Sequence, residues 1–133
     1  MKITICGSMA FAKEMLEIKQ KLEEQNHIVI VPANTDKYAN STIDVENKWK
    51  KIESDVIRAY FEEIKKTDAI LVINKDKNNI KNYVGGNSLI EIAFAHVLNK
   101  KIFLLNPVPQ INYSNEIEAM NPVILDNDLS KIE

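Results

Sequence analysis

Lys2-Ile3-Thr4-Ile5-Cys6-Gly7-Ser8 is an apolar, β-branched run that stops on a glycine and hands the chain to a helix-forming segment. The same grammar recurs downstream. Short apolar runs at Ile28–Val31, Ala69–Ile73, Ile102–Leu105 and Val123–Leu125 join Ile3–Cys6 as strand candidates, each nearly continuous, as strands buried on both faces of a parallel sheet are. Helical periodicity fills the intervals, at Ala10–Gln25, roughly Trp49–Lys66, Ser88–Asn99 and Ser114–Met120. Alternating β and α predicts a doubly wound parallel five-stranded sheet with right-handed crossovers, a flavodoxin-like or Rossmann-like α/β fold. The expected strand order is 2-1-3-4-5, with the loop after the first strand at the switch point. No repeat, low-complexity tract or boundary divides residues 1–133, so a single domain is expected.

Glycine is scarce. The chain holds three, Gly7, Gly85 and Gly86, where average usage of about 7% would give roughly nine. Each sits where a strand or its loop gives way to a helix, and loops at the carboxyl ends of strands build the ligand crevice of an open α/β sheet. The 133 residues and 45% apolar content suffice for one core. A net charge of −2 with interspersed signs points away from nucleic acid as a partner. One cysteine excludes an internal disulfide and fits a reducing, cytoplasmic setting. No run approaches the roughly 18 apolar residues of a membrane span, and the first residues do not read as a signal peptide. No cofactor is called for, and no cysteine or histidine pairing supports a metal site.

Two stretches break the pattern. Asn34–Asn47 is polar and aperiodic, and reads as a mobile lid. Asn74–Val84 is also polar and leads into Gly85-Gly86. Among side chains, Glu91 is the single carboxylate of an otherwise apolar helix, where a charge is costly unless paired or used. Two readings stand for it: a reactive carboxylate, or the Glu of a capping box begun by Ser88. Asp55 falls among the inward stripe Ile52, Val56, Ala59, Tyr60 and Ile64, and by itself reads as a stripe-edge partner of Arg58 or Lys51. Gly7-Ser8 opens a helix, whose free N–H groups can hold a phosphate or a sugar hydroxyl, or serve only as a capped turn. Cys6 reads as a small core residue, and His96 lies on another face of the Glu91 helix.

Taken together, Cys6-Gly7-Ser8, Asp55, Thr67-Asp68-Ala69-Ile70-Leu71-Val72 and Ser88-Leu89-Ile90-Glu91-Ile92-Ala93-Phe94-Ala95 resemble the nucleoside 2-deoxyribosyltransferase-like superfamily, which includes the 2'-deoxynucleoside 5'-phosphate N-hydrolases. The resemblance runs from about Ile3 to Leu105. It implies cleavage or transfer of the N-glycosidic bond of a nucleoside or nucleotide, with Glu91 as nucleophile and Asp55 assisting the departing base. The pair follows the two-carboxylate logic of retaining glycosidases. It also implies a substrate seat made by Cys6, Gly7, Ser8, Met9, Gly85, Gly86, Asn87 and Ser88. A homodimer or higher oligomer is expected, since members of this size complete their sites with a neighbour's residues, and Trp49, Ile57, Tyr60 and Phe61 offer apolar surface for it.

The departures are local. Where the hydrolases carry an arginine and further glycines after the first-loop serine, this chain has Met9-Ala10-Phe11-Ala12, with Lys13 the nearest base. Asn87 stands where the transferases have a glycine four residues before the Glu, and Gly85 where they have an aspartate near the base. Two other functions fit the same fold. One is a non-catalytic sensor of a nucleotide-like ligand. The other is a phosphoribohydrolase of the cytokinin-activating kind, whose glycine-rich core Gly85-Gly86-Asn87-Ser88 follows only in part.

Overall fold

Parallel pairing accounts for every apolar run. The computed structural model describes residues 1–40 and 55–133. In it β1 (Lys2–Gly7), β2 (Ile28–Ile30), β3 (Ala69–Ile73), β4 (Lys101–Leu104) and β5 (Val123–Ile124) form one sheet in the order β2-β1-β3-β4-β5. All four pairings are parallel, with Ile3 opposite Ala69 and Gly7 opposite Ile73 at the centre. This is the expected topology, strand order included. Alternate residues of β3 feed opposite cores: Ala69, Leu71 and Ile73 pack with Ile3, Ile5, Met15 and Leu22 on one face. Ile70 and Val72 pack with Tyr60, Ile64, Ile92 and Leu104 on the other. A strand buried on both sides has no polar alternation to show. Burying each such side chain contributes about 1.5–3 kcal/mol.

The helices are α1 (Ala12–Glu24), α2 (Thr35–Ala39), α3 (Val56–Lys65), α4 (Gly86–Val97) and α5 (Ser114–Ala119). A 3₁₀ turn at Met9–Phe11 precedes α1, and Ser8 caps it by accepting from the Ala10 N–H at 3.2 Å. Thr35–Ala39 corrects the expectation of an aperiodic lid there. Its two buried residues, Thr35 and Ala39, are four apart, one helical repeat too few to register as periodicity. Residues 41–47 of the expected lid, and residues 49–54 of the expected second helix, lie outside the described residues. Helix α4 is not apolar-buried on every side: Ile92 and Ala95 face the core, whereas Ile90 is 37% and Val97 76% exposed.

Asparagine does the work that glycine usually does. Ten described non-glycine residues have positive φ, and eight of them are asparagine: 26, 34, 78, 79, 82, 99, 121 and 127. Asn26, Asn99 and Asn121 follow the C-caps of α1, α4 and α5, the place where a left-handed residue stops a helix. The stops of α1 and α4 are Schellman motifs: His27 N–H donates to the Leu22 carbonyl at 3.1 Å, and Lys100 N–H to that of Ala95 at 2.8 Å. Asparagine tolerates this conformation better than other residues with a β-carbon, which explains how the chain manages on three glycines.

Candidate functional site

The carboxyl ends of β1 and β3 bring the two glycine loops to one cavity of about 630 Å³. Gly7, Ser8 and Met9 line it from the first loop, Gly85, Gly86, Asn87 and Ser88 from the second, and Glu91 from α4. The remaining wall is mostly apolar and aromatic: the end of β2 and the segment that follows it (Ile30 to Asn34), Tyr38, Val56, Ala59, Tyr60 and Tyr83. Two further charges, Glu63 of α3 and Lys77, also face it.

Gly7 is required by the backbone. Its φ is +148°, and a Cβ there would lie 3.0 Å from the Ile73 carbonyl oxygen and 3.1 Å from Met15 Cε. The first loop therefore lies flat against β3.

Glu91 is not a helix cap. Helix α4 begins at Gly86, with Gly85 as its N-cap and no side-chain capping bond. Ser88 is thus the third helical residue and Glu91 the sixth, one and two-thirds turns inside. The capping-box reading corresponds to a helix starting one turn later than it does. The carboxylate sits beside β1 and α3, close enough that its charge acts on two buried neighbours. Burial, reinforced by Glu91, holds the Cys6 thiol well above its ordinary value. Burial again comes first for the Tyr60 phenol, with Cys6, Glu91 and Glu63 adding to the rise. The Tyr60 hydroxyl donates to the Ile5 carbonyl and ties α3 to β1.

Two of the sequence-assigned site residues lie elsewhere. Cys6 is fully buried in the α3–α4 core beneath the cavity and does not line it. Asp55 precedes α3 with φ 47°, and its carboxylate accepts from Arg58 Nη1 at 2.7 Å. Its side chain is 53% exposed and is not among the residues lining the cavity. The pair with Arg58 is the one that the residue spacing predicts; the place beside Glu91 that the family resemblance implies is not observed.

Lys77 escaped the sequence reading. Asn78 and Asn79, both left-handed, close a tight hairpin in which Lys77 and Ile80 exchange backbone bonds of 3.0 and 2.9 Å. Tyr83 N–H donates to the Lys75 carbonyl, and Asn82 N–H to Asp76 Oδ1 at 3.0 Å. At its base, buried Asn74 donates to the carbonyls of Asn106 and Pro107 and accepts from the Asn106 N–H. The polar stretch Asn74–Val84 is a built arm. It carries Lys77 Nζ to 2.8 Å from Ser8 Oγ and 5.4 Å from the Tyr83 ring centre. The Asn-Asn pair was the available signal; the contact itself spans 69 residues.

No family model matches this chain, and no curated protein matches it by sequence. Among solved structures it is similar to the 2-deoxyribosyltransferase of the psychrotolerant bacterium Bacillus psychrosaccharolyticus. That likeness has a TM-score of 0.57 at 20% identity and covers 93% of this chain and 98% of that one. It is also similar to FerB, the flavoenzyme NAD(P)H:(acceptor) oxidoreductase of Paracoccus denitrificans, with a TM-score of 0.50 at 14% identity, over 92% of this chain and 74% of that one. At these identities the likeness establishes the fold. Both neighbours are enzymes. Among the described residues no helix is long and apolar enough to cross a membrane.

Proposed function

We propose that the chain cleaves or transfers the N-glycosidic bond of a nucleoside or nucleoside 5'-monophosphate, with Glu91 as nucleophile. The observation that carries this reading is the position of Glu91: inside α4 rather than at its cap, on a cavity that both glycine loops share. A carboxylate kept there is not explained by helix capping, and a cavity of about 630 Å³ is within the usual range for small-molecule sites. The solved deoxyribosyltransferase of the same fold supports the reaction class.

In this reading a Glu91 oxygen attacks the anomeric carbon as the carbon–nitrogen bond breaks, and the departing base takes its proton from water. Water, or a second base, then displaces Glu91 from the sugar. Tyr38 and Tyr83 offer aromatic surface for the base. Asp55 enters as a helper of the leaving base only through the family resemblance, because its carboxylate is engaged with Arg58. Glu63 is the other described carboxylate on the wall. The test is incubation with nucleosides and their 5'-monophosphates, with chromatography for free base; adding a second free base separates transfer from hydrolysis. Absence of base release from every member of the panel would leave a ligand-sensing domain as the reading.

The same resemblance proposes a homo-oligomer. Phe61, one of its expected contact residues, packs edge-on against Phe94 of the same chain, with ring centres 4.9 Å apart. Ile57 remains 47% exposed beside Ile90, so the α3–α4 face keeps apolar surface for a second copy. Sedimentation at micromolar concentration is expected to give a species heavier than 15.2 kDa.

A further inference from the structure

The hairpin bonds give the arm Asn74–Val84 its shape, but its place beside the cavity is set from outside, by the segment that follows β4. Backbone pairing between β3 and β4 ends where Leu105 N–H donates to the Val72 carbonyl at 3.0 Å. Beyond that rung two asparagines take over. Asn74 Nδ2 donates to the Asn106 carbonyl at 2.8 Å, and Asn74 Oδ1 accepts from the Asn106 N–H at 2.8 Å, as an opposing strand residue would. Asn106 Nδ2 returns a bond of 3.0 Å to the Asn74 carbonyl. The other Asn74 amide hydrogen goes to the Pro107 carbonyl at 3.1 Å. A carboxamide supplies both donors and an acceptor from a short side chain; an ionised aspartate offers no donor, and leucine offers neither.

The arm leaves this clamp at Lys75 and returns to it at Tyr83, whose N–H donates to the Lys75 carbonyl at 2.9 Å. One residue later the Val84 carbonyl accepts from the Tyr113 hydroxyl, a second tie to the stretch after β4. The Tyr83 backbone is thus held between two anchors. Its ring lies on the second glycine loop: a Cβ on Gly85 would stand 3.0 Å from Tyr83 Oη and 3.2 Å from Cε1. Gly85, the N-cap of α4, is bare where Tyr83 covers it. Asn74 is fully buried and does not line the cavity, whereas Tyr83 does. We propose that Asn74 is a positioning residue that holds the Tyr83 ring on the cavity wall, so that affinity depends on an amide no ligand touches. The identity of the ligand rests on the glycosidic reading; the placement of Tyr83 has a readout of its own.

The experiment compares the full native chain with Asn74→Ala, Tyr83→Ala and the double variant. Calorimetric titration and base release use the 2'-deoxynucleosides of the common bases as probes, and amide hydrogen exchange reads the Tyr83 N–H without a ligand. Loss of a stacking ring in Tyr83→Ala should cost about tenfold to a hundredfold in affinity. Asn74→Ala is expected to weaken binding by about fivefold or more, with the loss falling on KM rather than kcat. In the Tyr83→Ala background it should add less than about twofold, because the two residues act as one unit. Exchange at Tyr83 should quicken at least about tenfold while that at Ile5 and Leu71 stays within a few-fold. Asn106→Ala, which removes the returning bond to Asn74 and the bond from Asn127, takes the place of Asn74→Ala if the latter fails to fold. It should move KM and Tyr83 exchange the same way by a smaller factor. Native affinity in Asn74→Ala, full additivity with Tyr83→Ala, or exchange that quickens equally at Tyr83, Ile5 and Leu71 overturns the proposal, as does binding of no probe. Nucleoside binding that depends on Asn74 through Tyr83 without base release sustains it and refutes the glycosidic reading. Base release with a native KM in Asn74→Ala does the reverse.

Discussion

The two glycine loops meet at one cavity but hold their glycines for different reasons. At Gly7 the fold itself requires the missing side chain: the backbone is left-handed, and a methyl group would press on the Ile73 carbonyl and on Met15. At Gly86 nothing lies within 4 Å of where a Cβ would stand, and the position opens a helix, where glycine weakens the first turn. One glycine is explained by packing and the other is not. A residue that costs stability and relieves no clash, on the wall of a cavity, is best explained by what approaches it.

The largest expected effect concerns the charge that both loops surround. Glu91→Gln should lower base release by at least about a thousandfold, the scale on which removal of a nucleophile acts, while the circular dichroism spectrum and melting point stay near native. Undiminished turnover would separate the loops from any shared chemistry. Next comes Gly7→Ala, expected to destabilise the fold by about 1–3 kcal/mol in denaturant unfolding, since alanine must adopt a strained φ against a neighbour that cannot withdraw. Gly86→Ala should change stability by no more than about 1 kcal/mol, toward greater stability, and yet weaken nucleotide binding measured by calorimetric titration. If both alanines destabilise alike, the contrast between the loops fails. If Gly86→Ala stabilises and binding is untouched, the second glycine has no ligand role.

The smallest effect is expected at Asp55→Asn. The Asp55–Arg58 pair is exposed on both sides, and such pairs contribute at most about 1 kcal/mol. With its carboxylate outside the cavity lining, kcat is expected to change less than threefold in a steady-state assay. A loss of a hundredfold or more in kcat would mean that Asp55 leaves Arg58 to serve the reaction.

Much of the fold was legible because both faces of the sheet are covered. Ala69–Ile73 was bounded to the residue, since a strand buried on both sides is an uninterrupted apolar word between polar neighbours. The meeting of Gly7, Ser8, Gly85, Gly86 and Glu91 followed from strand order alone, because parallel strands deliver their following loops to the same edge. The start of α4 is not legible from the pattern, in which Ser88 offers a side-chain cap. The helix instead begins on two glycines, against local propensity. Lys77 could not be read at all from periodicity. Its position depends on two left-handed asparagines that fold the arm and on a side-chain clamp from Asn74 to β4's far end. Asp55 is legible as a partner of Arg58 from the three-residue spacing of the two, whereas its place beside Glu91 is implied only by the family resemblance.

The asparagine stops have a consequence in the unfolded chain. Glycine at a helix stop roams a wide range of backbone conformations before folding, and that freedom must be surrendered. Asparagine reaches the same left-handed geometry from a narrower ensemble. With eight left-handed asparagines among the described residues, three of them at helix stops, this polypeptide has less backbone disorder to lose on folding than one carrying glycine at those positions would. Part of its stability therefore resides in states that never appear in the folded molecule.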